Sequence, residues 1–532
     1  MFVNLHFRLF RYFPIASCWV ELQLKLNHHK CEKEIQMNLI PKKPGSTPSY
    51  YCTWNAQNNI DNTERKLNPA KFEGDQGAQL ARHSLNDEIL FEENGLALQY
   101  EKIRGDLFFV LDDGWDVPYN VHPDTQRYEF GSLLLNEERF PSCSGTPHVR
   151  LTKMNERMKT LGWKGAGLWV ASQAQGEHES NILSKEQAIN YWTERILWCR
   201  QANIGYWKVD WGLHADSIEF RQMLTKLGKE LCPELLIEHC RCMRPVNGAN
   251  GRFDNWEIVA DDTYNIFNFS DIFRSYDVTN QLSAATTIDR LSCLLQKKIT
   301  ENALGIINSE DELYIGAALG CSLGVMRSEL KKQHKKTDEV IRAVRWQRIA
   351  PAFGVTMSKV YISDNIGFDS WYFNPGDTWA SELINTEVKQ GAPMALTRGL
   401  PLPCFYGVKD KAPFVVAAKN PNGAASIATL PRTSVNRMET PLCGISINAG
   451  DTNFPIGIFG HYGQLTLVFD QSIADKKVFA QDLAGDTAHD ITNLVAINNN
   501  QLIISGDIID NVGLSNATED DSSEPGLVLA IL

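Results

Sequence analysis

The chain has 532 residues, 43% of them hydrophobic and 22% charged, with a formal net charge of −12. That length exceeds what a single hydrophobic core spans, so two or three domains are expected. The acidic balance and the lack of any basic run argue against a nucleic-acid partner, and no stretch is long and uncharged enough to span a bilayer.

Residues 1–46 read as an N-terminal β extension. Val20, Leu22, Leu24 and Leu26 alternate with Glu21, Gln23 and Lys25, which predicts a strand. The segment ends in the turn-rich Pro41-Lys42-Lys43-Pro44-Gly45-Ser46. Ile15-Ala16-Ser17-Cys18 is loosely similar to a lipoprotein processing site, but the apolar stretch before it is shorter than an export signal requires. The 12 cysteines are scattered without a Cys-x-x-Cys pair, which favours a reducing, cytoplasmic setting over a periplasmic or secreted one.

From 47 to 403, short apolar runs alternate with amphipathic stretches. The runs are Tyr50 to Trp54, Leu107 to Leu111, Gly165 to Ala171, Gly205 to Trp211, Leu235 to Glu238 and Leu304 to Ile307. Between them, Val149 to Leu161, Lys185 to Gln201 and Ser217 to Leu231 predict helices. Buried strands separated by helices at this spacing imply parallel βαβ units, and the length suits a (β/α)8 barrel of the TIM type better than an open sheet. From 404 to 532 helical periodicity nearly disappears. Phe414 to Ala418 and Ala425 to Leu430 flank Asn420-Pro421-Asn422-Gly423, a hairpin signal, and an antiparallel β-sandwich is expected there.

In a parallel barrel the chemistry gathers at the C-terminal ends of the strands. Leu107–Leu111 runs into Asp112-Asp113-Gly114-Trp115, two adjacent carboxylates that repel each other unless something binds them. The plainer alternative is a loop in which one aspartate caps a helix. Lys208 and Asp210 are two apart, so on a strand they share a face, and a lysine beside an aspartate keeps it ionised as a nucleophile needs. A structural ion pair is the alternative. Glu238 ends another apolar run, and Asp261-Asp262 follow Trp256-Glu257-Ile258-Val259-Ala260. His239 reads as a packed or capping residue. There is no metal-ligand spacing, no Walker loop and no Gly-x-Gly-x-x-Gly, so neither a metal nor a cofactor is expected. Carboxylates with tryptophans and no cofactor suit glycoside hydrolysis, where one acid serves as nucleophile or base and another as proton donor.

At these residues the chain resembles the α-galactosidases of glycoside hydrolase clan D, families 27 and 36, over most of residues 47–400. Asp112-Asp113-Gly114-Trp115 resembles the element after the second strand whose carboxylates hold the 4- and 6-hydroxyls of a terminal galactose. Lys208-Val209-Asp210 resembles the Lys-x-Asp element carrying the nucleophile, and Glu238 and Cys240 fall where the fifth strand supplies sugar contacts. Arg252-Phe253-Asp254 is similar to a family 36 signature. Trp256-x-x-x-Ala260-Asp261 and Asp261-Asp262-Thr263 resemble the acid/base elements of families 27 and 36, and both select Asp261, with Asp262 beside it. Ser309–Gly316 resembles a family 27 segment that makes Asp311 a sugar contact, while Trp54 and Trp169 sit where indoles are expected. In two places the pattern departs: Glu257 stands where family 27 has arginine after tryptophan, and Ala171-Ser172-Gln173 replaces the acidic element of family 36.

The resemblance implies a retaining double displacement on terminal α-linked sugars, α-galactosides first, with Asp210 as nucleophile and Asp261 as acid/base. The partner is then a glycoside or oligosaccharide. Within the clan the alternatives are α-N-acetylgalactosaminidase, β-arabinopyranosidase or galactosyl transferase, and outside catalysis a carbohydrate-binding protein. The sequence carries no signal for oligomeric state.

Overall fold

The computed structural model describes residues 37–57, 81–119, 121, 123–241, 260–275, 284–297, 299, 303–326, 336–372, 385, 387–435 and 437–532. The strand expected at 20–26 lies outside these. Eight short strands follow one another: β1 (Ser49–Cys52), β2 (Leu107–Leu111), β3 (Gly165–Val170), β4 (Tyr206–Val209), β5 (Leu236–Cys240), β6 (Ile272–Arg274), β7 (Ile306–Asn308) and β8 (Gly324–Val325). Each pairs in parallel with its neighbour from β1 to β7, and β8 pairs with β1. A parallel bridge from Asn308 to Ser322 closes the ring between β7 and the residues leading into β8. This is a (β/α)8 barrel.

The period-2 rule sorts its residues. Tyr51, Phe109, Leu168, Trp207, Ile237, Phe273 and Ile307 point outward and pack under the helices. Tyr50, Cys52, Phe108, Val110, Tyr206, Ile272 and Ile306 form a separate cluster inside the barrel. Small residues make room for these interior rings: a Cβ on Gly324 would stand 2.7 Å from the Tyr50 hydroxyl, and one on Gly167 would stand 2.8 Å from Val110. The same alternation carries Lys208, Asp210, Glu238, Arg274 and Asn308 inward at the C-terminal ends of their strands.

The outer helices include α1 (Pro147–Thr160), α2 (Lys185–Gln201), α3 (Ile218–Leu231), α4 (Ala260–Phe269), α5 (Ala284–Leu295), α6 (Leu313–Leu319) and α7 (Thr337–Ile349). Their starts follow capping chemistry. Ser184 and Gln187 form a reciprocal capping box at α2, and Ser217 caps α3 through the Phe220 amide. His239 points outward from β5, buried against Thr225 and Arg221 of α3, and burial lowers its pKa well below the ordinary value.

The chain leaves the barrel after α7. Val360–Ile362 already pairs with Ala395–Arg398, in one sheet with Phe414–Lys419. The C-terminal sheets therefore begin near residue 360, about forty residues ahead of the expected boundary at 403. The expected boundary falls late because a short apolar strand has the same pattern in either architecture. An eight-stranded and a five-stranded sheet enclose a second core of Val415, Ile427, Ile445, Ile458, Leu467 and Leu529. A four-stranded sheet, 366–372 with 387–393, 432–434 and 437–439, packs against α5 of the barrel. The hairpin at Asn420–Gly423 forms as expected, with Gly423 at φ +100°. Its Asn420 and Asn422 amides donate to the Pro351 and Ile349 carbonyls, docking the turn on the end of α7.

Candidate active site

The inward residues of β4 set the centre. Lys208 Nζ lies 2.7 Å from Asp112 Oδ2 and 3.8 Å from Asp210 Oδ2, so one ammonium bridges the ends of β2 and β4. Arg274 Nη2, from the end of β6, lies 2.8 Å from Asp210 Oδ2, and Trp169 Nε1 of β3 donates to the same oxygen at 3.1 Å. Burial alone would push the Asp210 carboxyl up, but Arg274 and Lys208 outweigh it and hold it down at about 2. Lys208 is in turn held above the ordinary lysine range, since its carboxylate neighbours, Asp112 first, overcome burial and the Arg274 charge. The Asp210 side chain keeps 12% of its surface open, more than Asp112 or Lys208 beside it. Asp210 is therefore the ionised carboxylate most available to a bound molecule.

Asp112 and Asp113 take different partners. Asp112 Oδ2 accepts from Lys208 and from the Cys52 thiol of β1 at 2.9 Å. Asp113 is gripped by the Arg82 fork, Nε to Oδ1 and Nη2 to Oδ2, both at 2.9 Å. Burial pushes the Asp113 carboxyl up, Arg82 opposes this, and the charges of Asp112 and Asp210 add to the rise.

Below these lies a floor with no open surface. Glu238 is fully buried, and accepts from Tyr50 Oη (3.1 Å), Tyr206 Oη (2.8 Å) and Asn308 Nδ2 (2.6 Å). Glu238, expected as a sugar contact, is sealed in this floor and holds its residues together. Arg274 Nη1 pairs with Glu310 Oε1 at 2.6 Å, both fully buried. Glu310 adopts φ +47°, a conformation that costs a non-glycine residue energy, and its amide donates to Asn308 Oδ1. Asp311, expected as a sugar contact, is half-buried and accepts from the Met326 amide at the end of β8.

The indoles divide by exposure. Trp115 is fully buried and donates to the Trp169 carbonyl, so it supports β3 rather than facing a ligand as expected. Trp54 and Trp211 remain partly exposed at the ends of β1 and β4. Trp211 packs against Trp169 and Phe130, with ring centroids 5.5 and 4.9 Å apart. Cys240 is buried opposite Arg274 in the β5–β6 register.

The side chains of Asp261 and Asp262 and all of Arg252 lie outside the described residues. Backbone assignment places Asp261 in the first turn of α4, and strand six falls later, at Ile272–Arg274. Strand six ends in Phe273-Arg274. Residues missed by sequence reasoning are Arg82, Arg274, Glu310, Asn308, Tyr50 and Tyr206. Of these only Arg274 carried a readable signal, the Phe-Arg pair of a three-residue apolar run. Among the described residues no cluster of His, Cys, Asp and Glu could hold a metal ion, and no helix is long and apolar enough to cross a membrane.

No family model and no curated protein matches the chain. Among solved structures it is similar to a GH27 β-L-arabinopyranosidase from Geobacillus stearothermophilus, at 10% identity over 91% of this chain and 97% of that one, with a TM-score of 0.35. A putative α-N-acetylgalactosaminidase from Bacillus halodurans gives 12% identity, the same two coverages and a TM-score of 0.38. The α-galactosidase of Saccharomyces cerevisiae, solved with raffinose, gives 9% identity over 91% and 95%, with a TM-score of 0.34. The barrel assignment rests on the strand order of this chain.

Proposed function

We propose that the protein is a retaining glycoside hydrolase acting on terminal α-linked sugars, α-galactosides first, with Asp210 as nucleophile. The observation that carries this reading is Asp210 itself, a partly open carboxylate at the mouth of a barrel, kept ionised by Arg274 and Lys208. Its Oδ2 is occupied by Arg274 and Trp169, which aligns the group and leaves Oδ1 for attack on an anomeric carbon. Asp112 and Asp113 supply acceptors for ring hydroxyls, and Trp54 and Trp211 supply faces for a pyranose to stack on.

A second carboxyl must protonate the leaving oxygen and later activate water. Asp261 remains the first assignment. Asp277 is a second, favoured by one observation: Phe273-Arg274 ends strand six, and Asp277 follows three residues later in the sequence. The clan's other specificities, for α-N-acetylgalactosaminides or β-arabinopyranosides, and transfer to an acceptor sugar share this arrangement.

The test is cleavage of a p-nitrophenyl glycoside panel: α-galactoside, α-N-acetylgalactosaminide, β-L-arabinopyranoside and α-glucoside. The expected result is turnover of one member by the wild type, release of the sugar first as its original anomer, and loss in Asp210→Asn. Loss in Asp261→Asn or in Asp277→Asn, with rescue by azide, assigns the acid/base. A wild type that binds galactose but cleaves none of the panel would overturn catalysis in favour of a binding protein.

A further inference from the structure

We propose that Arg82 is a positioning residue for substrate recognition, fixing Asp113 as an obligate hydrogen-bond acceptor beside Asp210. The inference rests on the glycosidase reading above and adds a residue from the segment between β1 and β2, where no motif pointed.

The contact is built rather than incidental. Both oxygens of Asp113 meet the guanidinium at 2.9 Å in a planar fork, the strongest geometry open to this pair. Phe130 and Trp211 back the guanidinium at 4.8 and 5.4 Å from their ring centroids, and Trp211 is the indole that packs on Trp169. The register is fixed from the main chain. Gln57 Nε2 donates to both the Ala81 and Asp113 carbonyls, at 3.1 and 3.0 Å, and Arg139 Nη1 donates to the Arg82 carbonyl at 2.9 Å. Gly114 has φ +106°, and a Cβ there would stand 2.8 Å from the Arg82 Cα, so only glycine lets the two segments approach.

The charges around Asp113 explain what the fork does. Asp112 in its own turn, Asp210 from β4 and Asp116 from the following loop are all acidic. Lys208 is committed to Asp112, and Arg139 acts on Asp113 only through its field. Arg82 is the cation bonded to Asp113 itself. Each carboxylate oxygen accepts two hydrogen bonds, so the fork leaves one lone pair per oxygen for a sugar hydroxyl. Without the fork, burial and the neighbouring carboxylates favour the protonated acid, which turns an acceptor into a donor and frees the side chain to rotate.

The test is the pH dependence of KM for the panel glycoside that the wild type cleaves, measured for the full chain between pH 5 and 8. In Arg82→Met, KM is expected to rise several-fold more steeply than in the wild type as pH falls from 8 to 5, because without the fork burial and the neighbouring carboxylates favour the protonated acid. Asp113→Asn should show the high KM at every pH, and the double variant should be no worse than Asp113→Asn alone. Arg82→Lys, which keeps the charge and loses the fork, should restore part of the effect. If methionine prevents folding, Arg82→Gln gives the same reading. A pH-independent KM in Arg82→Met, or full additivity with Asp113→Asn, overturns the inference. A wild type that neither cleaves the panel nor binds D-galactose by calorimetry sinks the glycosidase reading instead.

Discussion

Two buried charge networks sit in this molecule, one at the barrel mouth and one where the barrel meets the C-terminal sheets, and they are balanced differently. At the junction Arg342 of α7 forks onto Asp482 at 2.9 and 3.2 Å, both fully buried. Asp482 also accepts from the Ala484 and Asn516 amides, so each oxygen has a charged and a neutral donor. The first turn of α7 is treated alike: Asp521 accepts from the Thr337 and Asp338 amides, and Asp338 accepts from Thr518. At the mouth five carboxylates, Asp112, Asp113, Asp210, Glu238 and Glu310, face three cations, Arg82, Lys208 and Arg274. The Arg342–Asp482 pair is complete without a ligand. Glu238 and Glu310 are sealed in the floor, and above them Asp113 and Asp210 keep acceptor positions that a molecule rich in hydroxyls would satisfy.

The largest expected effect separates chemistry from folding. Asp210→Asn should lower kcat at least about a thousandfold, measured on the cleaved glycoside, while far-ultraviolet circular dichroism stays unchanged. Next, Arg342→Ala should cost about 3–5 kcal/mol in urea unfolding, because it strands Asp482 as a buried unpaired charge, and activity per folded molecule should persist. The same denaturation applied to Asp210→Asn at pH 7 should give a loss of no more than about 2 kcal/mol, because the lowered pKa means that Arg274 and Lys208 favour the ionised carboxylate in the folded chain while burial and the neighbouring carboxylates take back part of that gain. A loss above that size in Asp210→Asn would mean that the mouth is as balanced as the junction, and would break the contrast.

Much of the barrel was legible because period-2 burial and strand-end polarity are local signals. Lys208 and Asp210 declared a shared face from spacing alone, and α2 spans the expected residues. Strands six and eight were not legible: Ile272–Arg274 has only two apolar residues before a charge, and Gly324–Val325 has two residues in all. The equally short β7 is preceded by Leu304 and so reads as an apolar run. Arg82 and Glu310 escaped for another reason. Their partners, Asp113 and Arg274, are 31 and 36 residues away, and only the closed ring brings them together. Trp115 and Glu238 were misplaced because sequence gives residue type near a strand end without telling whether the side chain opens to the mouth or is sealed beneath it.

The smallest effect sits between the two regimes, at Asp116. It lies two residues beyond the Asp112-Gly114 turn, and its Oδ2 accepts from the Gly131 and Leu133 amides, as a structural carboxylate would. Arg139 acts on it only through its field, and burial pushes the carboxyl from 3.8 up to about 7 against those two amides. A folded-state pKa above the unfolded value means that the folded chain holds the proton more tightly. The contribution to stability is then full below about pH 4 and falls as pH rises through 7. Asp116→Asn removes the titration, so its urea midpoint should change less between pH 5 and pH 8 than that of the wild type. At pH 8 the variant should gain on the order of 1 kcal/mol, and at pH 5 little. A wild type whose stability rises over that range would place the Asp116 carboxylate with the matched charges of the junction, its two backbone donors being enough to hold it ionised.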